Sequence, residues 1–135
     1  VVLVEWTKTH GFGEYWTESY KVVETLSDKD GKVTLPGCYS FFVNAPDVTV
    51  YKAGFAAWNN KYIFPKYDKR TDFEWKDNAM FKLDKYLSSY SYLNHFLFVA
   101  PLLPHAKQTL LQKYYDEGEG SMVQKEQREL DKNRR

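Results

Sequence analysis

Residues 24–37 read ETLSDKDGKVTLPG, and the fold turns on whether Asp28-Lys29-Asp30-Gly31 opens an ion-binding loop or a tight turn. An EF-hand loop needs glycine at its sixth position, a ligand at its fifth and a bidentate glutamate at its twelfth. Counted from Asp28, the glycine arrives too early as Gly31, the fifth place is Lys32 and the twelfth is Tyr39. As a turn the same residues make sense. Asp30-Gly31 is a pair that tolerates left-handed backbone, and Leu26 and Val33 flank it with strand-forming side chains. The stretch therefore predicts strand, turn, strand, with no metal in the turn.

Working outward, the period stays at two. Val2, Val4 and Trp6 alternate with Leu3 and Glu5, and residues 15–26 resume the alternation after the break at Gly11 and Gly13. Val33 and Leu35, residues 38–43, and Val48 and Val50 give further short strands, and Phe81 and Leu83 a last one. Between them, residues 56–78 form a long surface excursion of mixed polarity, for which Trp58 and Phe64 are the expected buried anchors.

From Tyr86 onward the spacing changes to that of helices. Leu93, Phe96 and Leu97 share a face until Pro101, Leu103, Leu110 and Tyr114 share another, and Gly118 and Gly120 are expected to end that helix. Ser121 through Gln124 has the form of a capping box opening a final charged helix with few apolar positions. The expected architecture is mainly β, an antiparallel β-sandwich of about six to seven strands over residues 1–86, with a helical extension over residues 87–135.

The segments TLSDKDGKVTLPG, VTVYKAGFAAW and AMFKLDKY resemble the carboxypeptidase regulatory-like domain, a small β-sandwich related in shape to transthyretin. Ser27, Asp28, Gly31, Val33 and Leu35 match its turn, Val48, Val50, Gly54 and Phe55 its next strand, and Phe81 and Leu83 its last. The family's first strand has no counterpart here, and residues 87–135 lie outside the resemblance. The resemblance implies a non-catalytic accessory module of secreted and cell-envelope proteins, bacterial in setting. It also implies that Val1, Val2, Leu3 and Val4 form a sheet edge open to a partner strand.

Chemistry-bearing motifs are few. Nineteen Lys and Arg against eighteen Asp and Glu leave a net charge of +1, which gives no general pull toward nucleic acid. Cys38 is the only cysteine, so an internal disulfide is excluded, and a buried strand position suits it better than a nucleophile's role. His10, His95 and His105 have no metal-ligand spacing, and His95 reads as a hydrogen-bonded core histidine. No catalytic, metal-binding or cofactor-binding residue is assigned, and no run of residues has the length of a membrane span.

The function expected is that of a structural or interaction module in a secreted or cell-envelope assembly. It would work through protein contacts, with a different protein or a neighbouring copy, at the sheet edge and the helical segment. The chain opens at Val1 without methionine, leaving room for an upstream segment that carries a lipid anchor. The alternative is a carbohydrate-binding module, with Trp58, Tyr62 and Tyr67 as stacking platforms in a chain whose aromatic content is 18%.

Overall fold

The computed structural model describes residues 1–11, 14, 16–35, 43–76, 78–104 and 109–135. The expected strand over residues 38–43, with Cys38, and the histidine His105 fall largely outside them. Six strands are described: β1 (Val2–His10), β2 (Trp16–Thr25), β3 (Asp47–Val50), β4 (Trp58–Asn59), β5 (Tyr62–Ile63) and β6 (Asp68–Lys69). The first four form one antiparallel sheet in the order β2-β1-β3-β4, and β5 and β6 pair as a separate short hairpin.

This order corrects the expectation for Val1, Val2, Leu3 and Val4. The strand they begin is interior to the sheet, with Val2 opposite Thr25 of β2 on one side and Val50 of β3 on the other. Val1 extends the second ladder, since Tyr51 N–H donates to its carbonyl at 2.9 Å and its own amino group donates to the Tyr51 carbonyl at 2.9 Å. Val2, Leu3 and Val4 are all buried. Both ladders of this segment are filled by the chain itself, so no incoming strand is needed to satisfy its backbone.

Period-two alternation divides the sheet cleanly into two faces. Val2, Val4, Trp6, Val48, Val50 and Trp58 form one cluster, which is covered by Val33, Leu35, Phe73, Phe81 and Leu83. Residues 33–35 and 81–83 thus supply partly buried side chains to this face, but among the described residues their backbones join no strand ladder, and the pairing seen nearby is an isolated bridge between Phe55 and Lys85. The turn itself is present, with Gly31 at φ +77° and its N–H donating to the Asp28 carbonyl at 3.0 Å. Asp28 Oδ1 accepts from Asp30 N–H at 2.8 Å and Lys32 N–H at 2.9 Å, which closes the turn from its side chain.

On the opposite face lie Leu3, Thr49 and Asn59, and here the helical segment packs. It comprises α1 (Tyr92–Val99), a 3-10 turn (Ala100–Leu102), α2 (Leu110–Tyr115), a π-helical turn (Asp116–Gly120) and α3 (Ser121–Asn133). Phe98, Val99, Leu111 and Tyr115 share one buried cluster with Leu3, Tyr51 and Phe64. Each large apolar side chain removed from water there contributes about 1.5–3 kcal/mol. Glu24, directly opposite Leu3 across the β1–β2 ladder, reaches the same face and accepts from the N–H groups of Leu110 and Leu111 at 2.8 Å each. The sheet thereby closes the N-terminus of α2, beside the local cap from Thr109 to Gln112.

The expected break at Gly118 and Gly120 does not occur, because α2 runs into α3 through the π-helical turn that contains both glycines. Ser121 accordingly caps nothing. A Cβ on Gly118 would lie 2.5 Å from the Tyr51 hydroxyl, so glycine is required there for close approach rather than to stop a helix.

Candidate functional site

Two features stand out, one buried and one exposed. The buried one centres on His95, on the inward face of α1, which is fully inaccessible to solvent. Its Nε2 accepts from the backbone N–H of Ala57 at 2.9 Å, so that nitrogen carries no proton. The proton therefore sits on Nδ1, which donates to Glu119 Oε2 at 2.8 Å. Glu119 is buried as well, and it is the π-helical turn that brings it inward between α2 and α3.

Aromatic rings wall the pair. Phe64, Tyr86 and Tyr115 lie 4.8, 5.3 and 5.7 Å from the imidazole centroid, and Tyr51 stands edge-on to Tyr115 at 5.2 Å. The hydroxyls of Tyr51, Tyr86 and Tyr115 are buried, and among the described residues none meets a partner at regular hydrogen-bond geometry. Burial first, and the negative charge of Glu119 second, push all three phenols well above the ordinary tyrosine range. For Tyr115 the nearby Glu119 carboxylate adds to the same upward push.

Chemically, both nitrogens of His95 are engaged in holding three chain segments together: the approach to β4, helix α1 and the π-helical turn. The arrangement is a clasp, and it matches the hydrogen-bonded core histidine expected from the sequence. Glu119 carries no sequence pattern that marks it as buried. The one available signal was that a buried histidine needs a polar partner.

The exposed feature is β2. Its inner side pairs with β1, and among the described residues nothing pairs with its outer side. Trp16, Tyr20 and Val22 are 57%, 47% and 38% exposed. The register slips between Trp6 and Thr7, leaving Tyr20 as the extra residue of a bulge with Lys8 Nζ 4.0 Å above its ring. Trp16 stacks on His10 at 5.6 Å, and His10 in turn meets Glu18 at 2.8 Å.

The three rings considered as sugar platforms are not equivalent. Trp58 is only 5% exposed, packed beneath Arg70 at 4.7 Å and against Phe73 and Phe81, so it is a core anchor and not a platform. Phe64, the other expected anchor, is likewise buried. Tyr62 and Tyr67 are exposed, though the Tyr67 ring also leans on Phe98 at 5.2 Å. Among the described residues there is no cluster of His, Cys, Asp and Glu suited to a metal ion, and no helix is long and apolar enough to cross a membrane. Comparison with protein-family models, with curated proteins and with solved structures finds no match to this chain.

Proposed function

We propose that this chain is a non-catalytic interaction module of a secreted or cell-envelope assembly, and that β2, rather than the strand at Val1, is the edge through which it binds another protein. The carrying observation is the ten-residue outer ladder of β2 with its exposed Trp16, Tyr20 and Val22. Such a row of backbone donors and acceptors is a template for strand addition. The bulge at Tyr20 and the charges of Glu18 and Lys21 restrict which strands fit, and so favour a specific partner over indiscriminate pairing. The engagement of both His95 nitrogens in structural bonds supports the non-catalytic reading.

The same proposal covers the finer architecture. Val33, Leu35, Phe81 and Leu83 cover one face of the four-stranded sheet in the way the second layer of a β-sandwich does, which supports a sandwich of the carboxypeptidase regulatory-like type. A secreted or envelope setting rests on that resemblance alone.

A photo-crosslinking residue placed at Trp16 or Val22 in producing cells tests the edge. One dominant cross-linked protein is expected from either position, and a Pro at Val22, which removes a ladder donor, should abolish the product obtained from Trp16. Identical products from a control position such as Glu129 on α3 would refute it. Carbohydrate binding retains Tyr62 and Tyr67 as its support; quenching of tyrosine fluorescence by oligosaccharides, lost in Tyr62→Ala, would favour that reading instead.

A further inference from the structure

We propose that α3 is a releasable strap, fastened to α1 by the single carboxylate of Glu126 and pivoting at Gly120. Helix α3 buries none of its own residues, and its Met122 and Leu130 side chains stay exposed. What fastens it is polar. Glu126 Oε1 accepts from the Ser91 hydroxyl, and Oε2 accepts from the backbone N–H of Tyr92 at 2.8 Å and of Leu93 at 3.4 Å. One side chain of α3 thus fills the donors at the N-terminus of α1, where a negative charge is favoured.

The apolar contact beside this fastening is thin. Val123 faces Leu93 and Phe96 across a shallow groove of about 400 Å³ whose remaining wall is Gln124, Gln127 and Arg128. By contrast, the turn preceding α3 is fixed. Glu119 is bonded to His95 at 2.8 Å, and Gly118 lies directly against Tyr51. Motion therefore begins after Glu119. Gly120 is the next residue, a glycine in helical geometry (φ −56°, ψ −40°) with no Cβ to restrict a change of its backbone angles. When Glu126 lets go, α1 keeps its own cap, because Ser91 Oγ still accepts from Asn94 N–H at 3.1 Å. Release consequently uncovers Leu93 and widens the exposure of Phe96, already 39% exposed, without unfolding the helix that carries them.

Hydrogen exchange on the full chain tests the strap. In Glu126→Ala the amides of residues 124–133 are expected to exchange roughly tenfold faster or more, while those of β1 and α2 keep their protection; Glu129→Gln, altering an exposed carboxylate of the same helix, is expected to change nothing. If Glu126→Ala does not fold, Glu126→Gln serves, since it keeps the shape and removes the charge that the α1 terminus favours, and the same regional rise is expected. Unchanged protection of α3, or protection lost from α3 only in step with β1 and α2, would overturn the proposal, the second result because it makes α3 an inseparable part of the cooperative core.

Discussion

Replacing His95 by alanine is the sharpest probe of the buried clasp. The substitution orphans the Ala57 N–H, leaves the Glu119 carboxylate without its imidazole donor, and opens a ring-sized void between Phe64, Tyr86 and Tyr115. A buried unsatisfied donor costs about 1–3 kcal/mol, and a hydrogen bond to a charged group is worth about 1.5–3 kcal/mol. With the void partly relaxed, the expected loss is about 4–6 kcal/mol, a large share of the roughly 5–15 kcal/mol available to a domain of this kind. Glu119→Gln is different. The amide oxygen still accepts from Nδ1 and a buried charge disappears, so the change should stay within about 1 kcal/mol.

Combining the two reverses the sign. In the His95→Ala background Glu119 is a buried charge without its partner, so Glu119→Gln should stabilise that variant by about 1 kcal/mol or more, although it does nothing comparable in the parent. Urea unfolding followed by the fluorescence of the buried Trp6 and Trp58 reads all four corners of the cycle. A His95→Ala loss below about 1 kcal/mol, or a cycle with no coupling, would refute the clasp.

Three further outcomes follow from the same geometry. Gly118→Ala should cost about 1–3 kcal/mol by driving Tyr51 from its place, whereas Gly120→Ala should be neutral or stabilise by up to about 1 kcal/mol, as thermal melts of the two variants will show. Asn59→Ala should cost about 2–4 kcal/mol by urea titration, because its amide donates to Asp47 and Val48 and accepts from the N–H groups of Lys61 and Tyr62 at a fully buried position. Tyr51, Tyr86 and Tyr115 have native pKa values raised above the unfolded value, so the native state retains more protons in alkali. Their contribution is full below about pH 10 and is lost as pH rises beyond it; an ultraviolet titration should find these phenols ionising only together with unfolding, and their ionisation in the folded chain near pH 10 would contradict the burial.

In the strands the sequence displays faces more readily than neighbours; in the helices the expected faces are wrong, since Phe96, Leu97 and Tyr114 are exposed while Phe98, Val99, Leu111 and Tyr115 are buried. Alternation at Val2, Val4 and Trp6 correctly marks one buried side of a strand, but a period of two carries no record of how many strands flank it. Its partners arrive from residues 16–25 on one side and 47–50 on the other, so neither ladder of this segment is open. Val33, Leu35, Phe81 and Leu83 show the same limit from the other direction: their alternation reports side chains turned inward, and that is all the structure gives them. Trp58 sits in a stretch rich in polar residues and so reads either as anchor or as platform; what decides is Asn59 beside it, whose hydrogen bonds draw this segment into the sheet. Glu119, between two glycines and close to other acids, has the composition of a solvated turn, and its partner lies 24 positions away. Glu24 and Glu126 cap helices from 86 and 34 residues away, whereas capping rules read from sequence reach only about one turn.

Those long-range carboxylates also explain why the helical segment belongs to the sheet. Leu3 and Tyr51 share their buried cluster with Phe98, Val99, Leu111 and Tyr115 of the helices, so removing residues 87–135 would uncover both and is expected to bring loss of stability or aggregation. Glu24 adds a polar tie across the same boundary, with its backbone on β2 and its two oxygens on the first N–H groups of α2. A strand added to the outer side of β2 would therefore act on the backbone that aims this carboxylate. The edge at which a partner is proposed to bind and the terminus of α2 are joined through one residue, so Glu24→Gln should weaken α2 protection while leaving the exposed Trp16, Tyr20 and Val22 in place.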